Sequence, residues 1–186
     1  MKVYFHLNVA GFSNCYLVVN EETKEAIVVD PGEITEELIS QIEENFLTLT
    51  GILVTHNHGS HLDGIKTLRK IYSPEIFAAD WEVAKNQTTV INGDGKIKVA
   101  HLNVHYMAIP GHTSDSVVYK IENLLFTGDV LFAGSLGSTN SSYSKFILQS
   151  NINQKIYSQQ DGLVLMPGHG PPITLEAAKM YCSTFK

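Results

Sequence analysis

Residues 54–64, VTHNHGSHLDG, place three histidines, His56, His58 and His61, within a span of six positions. They follow an apolar run, GILVT at residues 51–55, which reads as a short buried strand ending at His56. Side chains two apart in an extended segment project to the same side, so His56 and His58 share a face. His61 comes three residues later, where a helix is expected to begin, and approaches from another direction. A lone HxH is weak, because ordinary surface histidines produce it often. HxHxxH directly behind a strand is a stronger pointer to a metal ion. A pair of ions would want a carboxylate among these imidazoles, and Ser60 stands where one is expected.

Outward from this stretch the same arrangement recurs. KIKVAHLNVHYMAIPGH (residues 96–112) reads as strand material ending at His112, and SVVYKIENLLFTGD (116–129) as a hairpin with its turn near Glu122 and Asn123, ending at Asp129. GLVLMPGHG (162–170) is one more strand, ending at His169. Each candidate ligand lies just past an apolar run, where a rigid strand can aim a loop side chain at one point. Gly111, Gly128, Gly168 and Gly170 flank them and permit the tight turns and close backbone approach that a crowded ion site needs. Five imidazoles and one carboxylate suit Zn2+ best, with Fe or Mn as alternatives.

KVYFHLNV, CYLVVN and EAIVVDPG read as three opening strands, rich in β-branched and aromatic residues. Thr35 is an expected N-cap with Glu36 and Glu37 in the first turn, and Leu38, Ile39, Ile42 and Phe46 form a helical stripe. A second helix carries Leu62, Ile65, Leu68 and Ile71 on one face; EIFAAD reads as a strand, WEVAKN as a helical turn and LEAAKMYCSTF as a closing helix. GSLGSTNSSYSK (134–145) reads as a loop, either solvated or facing a substrate through Tyr143 and Lys145. No linker, repeat or low-complexity segment interrupts the chain, so one domain over residues 1–186 is expected, of α+β class with helices covering two sheets.

The formal charge is −6 with no Lys/Arg-rich run, and hydrophobic content is 44%. Nucleic acid and anionic membranes are therefore not expected as partners; a small-molecule substrate is. The opening segment lacks a signal-type apolar core and nothing approaches a membrane span, so a cytoplasmic location is expected. Cys15 and Cys182 form no CxxC and read as small buried thiols. His6, His101 and His105 read as strand or surface residues, and Trp81 as packing.

Together, HxHxxH, PGHT, FTGD and MPGHG resemble the metallo-β-lactamase superfamily, especially its small glyoxalase-II-like hydrolases. The resemblance runs from NCYLVV and VVDPG to PGHG and implies a four-layer αββα sandwich with metals at one edge of the sheets. It assigns His56, His58 and His112 to a first ion, His61 and His169 to a second, with Asp129 bridging, and Asp30 as an acid that orients a ligand. The family motif is HxHxDH, and its Asp falls on Ser60. Position 60 and Asp129 are thus where the resemblance places catalytic roles. A hydroxyl brings no negative charge, so unequal ion sites are expected, with Asp63 or Asp115 as possible replacements for the missing carboxylate.

The activity implied is hydrolysis of an ester, thioester or lactone, with the pKa of water lowered to about 7 at the ion. A glutathione-thioesterase assignment is not expected in full, since 17 residues follow His169 and leave no room for a helical substrate-binding extension. Two other readings stay open: a metal-binding module of the same fold with little catalysis, and a di-iron redox domain lacking its flavin partner.

Overall fold

The computed structural model describes residues 1–83 and 88–182. The first sheet contains β1 (Lys2–Asn8), β2 (Ser13–Asn20), β3 (Glu25–Val29), β4 (Thr48–Leu53), β5 (Glu75–Ala78) and β6 (Thr88–Val90), paired in chain order. Its first three strands are antiparallel and the rest parallel. The second sheet runs β7 (Gly95–Val99), β8 (Leu102–Ala108), β9 (Val117–Ile121), β10 (Leu124–Gly128), β11 (Val164–Pro167) and β12 (Ile173–Thr174), again with neighbours in sequence order. Only β10 and β11 pair in parallel.

Parallel neighbours need crossovers, and the helices supply them. α1 (Glu36–Glu44) joins β3 to β4; α2 (Gly59–Leu62) and α3 (Ile65–Ile71) join β4 to β5. α4 (Ser142–Asn151), continued by a π-helical turn over Ile152–Tyr157, joins β10 to β11, and α5 (Leu175–Tyr181) follows β12. Strand periodicity then builds three apolar layers. In β2, Tyr16 and Val18 face the second sheet, meeting Tyr119 and Phe126, while Cys15, Leu17 and Val19 face α1 and α3 through Leu38, Ile42 and Leu68. Behind the second sheet, Val118, Leu125 and Leu165 pack on Leu148, Ile152, Ile156, Leu175 and Ala178. The result is the expected αββα sandwich. Both faces of β2 are covered, which explains its unbroken apolar run.

Several local readings change. The Thr35 cap forms, its Oγ1 accepting the Leu38 N–H at 3.1 Å, but Phe46 lies past the helix end and is 87% exposed. The single helix expected over 62–71 is two pieces, broken at Asp63 and Gly64. The strand expected to run to His112 is a hairpin, because Ala100 and His101 both take positive φ (51° and 58°), a two-residue turn without the usual Asn-Gly signature. The loop expected over 134–145 becomes helix at Ser142, capped by Ser141 Oγ on the Ser144 N–H, so Tyr143 and Lys145 belong to α4. Residues 81–83 form a turn, and the remainder of WEVAKN lies outside the described residues, as do residues 183–186. Among the described residues, no helix is long and apolar enough to cross a membrane.

Candidate metal centre

The ends of β4, β8, β10 and β11 lead to one edge of the sandwich, where His56, His58, His61, His112, Asp129 and His169 meet. Tyr119 OH hydrogen-bonds Val54 O at 2.9 Å, and the Val117 N–H reaches Thr55 O at 2.8 Å. The second sheet thereby fixes the backbone just before His56. Two groups form around a shared carboxylate: His56, His58, His112 and Asp129, and His61, Asp129 and His169, each with ligand atoms within 4.8 Å of one another. Asp129 Oδ2 lies 3.8, 3.7 and 3.5 Å from Nε2 of His56, His112 and His169, and Oδ1 lies 3.5 Å from His61 Nε2. Two ligands sharing one zinc stand about 3.4 Å apart when each is ~2.05 Å from it.

The outer hydrogen bonds determine which nitrogen faces inward. Thr55 Oγ1 donates its one proton to Asp30 Oδ2 at 2.6 Å, so at His56 Nδ1, 3.0 Å away, the imidazole must donate. His61 Nδ1 meets Asp30 Oδ2 at 3.1 Å, His112 Nδ1 meets Ser138 O at 2.8 Å, and His169 Nδ1 meets Phe12 O at 2.8 Å. These oxygens only accept. All four rings therefore carry a proton on Nδ1 and turn Nε2 toward Asp129. His58 enters by Nδ1, 2.9 Å from His56 Nε2 and 3.2 Å from His112 Nε2; one proton there cannot serve two acceptors. His61 Nε2 and Asp129 Oδ1 are buried without a hydrogen-bond partner. A buried imidazole nitrogen facing a bare carboxylate oxygen is unfavourable unless a proton or a metal cation lies between them.

Electrostatics separate the groups. Burial, reinforced by neighbouring His61, holds His56 down to about 3, and burial followed by His112 lowers His58. Burial also opposes charge on His61, but the carboxylates of Asp30 and Asp129 outweigh it and lift His61 to about 10. For Asp129, burial works upward and is outweighed by His61 above all, leaving the acid below its ordinary value.

Asp30 adopts the expected supporting place, with Oδ1 also accepting the Thr55 N–H at 2.8 Å. Ser60 packs against the β1–β2 loop: a Cβ at Gly11 would come within 2.9 Å of Ser60 Cβ, and Ser13 Oγ donates to Ser60 O at 2.6 Å. Neither proposed replacement joins the ligand groups. Asp63 lies beside Gly59, and Asp115 Oδ2 accepts the Asn57 N–H at 2.7 Å, steadying the link between His56 and His58. A side chain at Gly168 would collide with Asp129 Oδ1 and His61. Thr55, Phe12, Ser138 and Tyr119 were not legible as contributors; only the position of Thr55 beside His56 hinted at a role. Cys15 and Cys182 are buried thiols outside both groups. His6 is buried against Gln41, while His101 and His105 are exposed.

The sequence profile of the metallo-β-lactamase superfamily matches residues 8–173. An uncharacterized protein of Treponema pallidum is 31% identical over 180 residues, covering 96% of this chain and 97% of that one. Hydroxyacylglutathione hydrolase GloC of Haemophilus influenzae is 30% identical over 190 residues, covering 89% of each chain. The chain also matches longer hydroxyacylglutathione hydrolases and spans about half of their length. In fold it resembles the crystal structure of ETHE1 from Myxococcus xanthus, with a TM-score of 0.88, 22% identity, and coverage of 98% of this chain and 84% of that one. With the profile spanning most of its length and its ligand motifs converging at one sheet edge, this chain belongs to the metallo-β-lactamase superfamily.

Proposed function

We propose that this protein is a metal-dependent hydrolase of a small ester, thioester or lactone, with its first ion held by His56, His58, His112 and Asp129 and a weaker second by His61, His169 and Asp129. The observation that carries the reading is the common orientation of four rings, each with Nδ1 bonded outward and Nε2 turned to one carboxylate. Relatives named as hydrolases support the reaction class. The donor set favours Zn2+, with Fe or Mn next. When bound, such an ion supplies Lewis acidity, making water nucleophilic near neutral pH and polarising an acyl oxygen.

The chain's own groups then orient the reaction. Asp129 stays ionised and acts as a ligand and as an acceptor that aligns water, because its neighbours keep its affinity for a proton low. His58 and His169 are the more open imidazoles and mark the mouth. Beside His112, a cavity of about 350 Å³ lined by Thr113, Asn140, Tyr143, Ser144 and Ile147 can take the acyl substituent. Ser60 supports a weaker second ion, since its hydroxyl remains neutral where a carboxylate would oppose the ion's charge.

The test is metal content per chain together with turnover of p-nitrophenyl esters, thioesters and lactones in added Zn or Mn. Metal-dependent turnover is expected. Tight metal binding without turnover on any substrate favours the second reading, a metal-binding module, for which the missing carboxylate at position 60 is the supporting observation.

A further inference from the structure

His169 sits in a segment with little conformational preference of its own. Gly168 precedes it, Gly170 follows with φ 76°, and glycine flanks leave a backbone free to wander. Something outside the segment must therefore fix it, and β2 supplies the grip. Asn14, 1% exposed, donates its backbone N–H to Gly168 O at 2.7 Å. Its side-chain amide donates to Pro167 O at 2.8 Å and Gly170 O at 2.7 Å. Tyr16 OH adds a bond to Pro167 O at 2.7 Å.

One residue thus holds carbonyls on both sides of His169, while Phe12, two positions earlier, takes the ring's Nδ1 proton. Asn14 Oδ1 is buried with no partner. Leaving a buried amide oxygen bare is unfavourable, but turning the amide over would set that oxygen against two carbonyls and lose both bonds.

We infer that Asn14 is a positioning residue for the second ion: it touches no ligand atom and acts by setting the place and orientation of His169. This rests on the metal-centre reading proposed above. Asn14→Asp keeps the shape and removes both amide donors, aiming a carboxylate at Pro167 O and Gly170 O. In chelator competition with zinc, second-ion affinity is expected to fall by about 10–100-fold, with the first ion unchanged.

Nitrogen-15 NMR of the metal-free protein above neutral pH gives an independent reading. Wild type is expected to hold His169 as the Nδ1–H tautomer, and the variant to show a tautomer mixture. Should Asn14→Asp fail to fold, Tyr16→Phe keeps the ring, removes only the hydroxyl's bonds to Pro167 O and Asn14 Nδ2, and is expected to weaken the second ion severalfold. A folded variant with unchanged second-ion affinity and an unchanged His169 tautomer overturns the inference. If the wild type takes no second ion, the two-ion reading falls, and the tautomer comparison still decides the role of Asn14.

Discussion

The two ligand groups share Asp129 and are built from the same side chain, yet they are wired differently. In the first, Asp30 reaches His56 only through the Thr55 hydroxyl, and burial leaves the imidazole neutral. In the second, Asp30 touches His61 directly, and the ring is pushed up to about 10. An interposed hydroxyl orients an imidazole without charging it; a carboxylate in contact makes it basic. On the proposed metal-centre reading, the first group is then neutral and open to a cation at neutral pH, whereas His61 in the second holds a proton that an ion would have to displace. The second group also offers three ligand atoms where the first offers four. On the proposed reading, proton competition and the neutral hydroxyl at Ser60 would both weaken the same position.

The harshest break of this contrast is Asp129→Asn, which removes the charge common to both groups. Affinity for either ion is expected to fall by more than ~100-fold and turnover to background, checked by metal content and steady-state rates. Asp30→Asn should separate the groups instead: it relieves proton competition at His61 but removes the acceptor that orients the ring. The lost orientation is expected to dominate, lowering second-ion affinity about 10–100-fold, with a loss of about 1–3 kcal/mol in chemical denaturation from unpaired buried groups. Ser60→Asp sharpens the contrast from the other side, raising second-ion affinity by about 10–100-fold in the same titration. No gain in bound metal or turnover would defeat the account of position 60.

Metal-free protein should show the difference as two opposing pH slopes in melting temperature. His56 is depressed to about 3 from 6.5, so its contribution is present above pH 6.5 and is lost as pH falls toward 3. His61 is raised from 6.5 to about 10, so its contribution is complete below pH 6.5 and is lost as pH rises toward 10. Second-ion affinity should rise over that same upper window. Asp115→Ala is the mildest change: it frees the Asn57 N–H near the surface and should weaken the first ion by less than ~10-fold.

The candidate ligands stood out in the sequence because each lies at or shortly past the end of an apolar run, and His58, His112, Asp129 and His169 also adjoin glycine, a local pattern visible without coordinates. The residues that orient them were not. Ser138 and Phe12 act through backbone carbonyls, which carry no residue-type signal. α4 escaped notice because its apolar stripe, Leu148, Ile152 and Ile156, follows the serine-rich opening of residues 134–145. The hairpin at Ala100 and His101 lacked turn residues altogether.

From residue order alone came the strand endings, the candidate donors, the absence of a carboxylate at position 60 and the layered α+β class, since hydrophobic period and turn chemistry are local properties of a chain. Which nitrogen each ring presents, which imidazole carries charge, and the failure of Asp63 and Asp115 to replace the lost acid were decided by the packed structure. Those depend on hydrogen bonds and burial between segments up to 157 residues apart, as His169 and Phe12 are, and no local pattern encodes a distance in space.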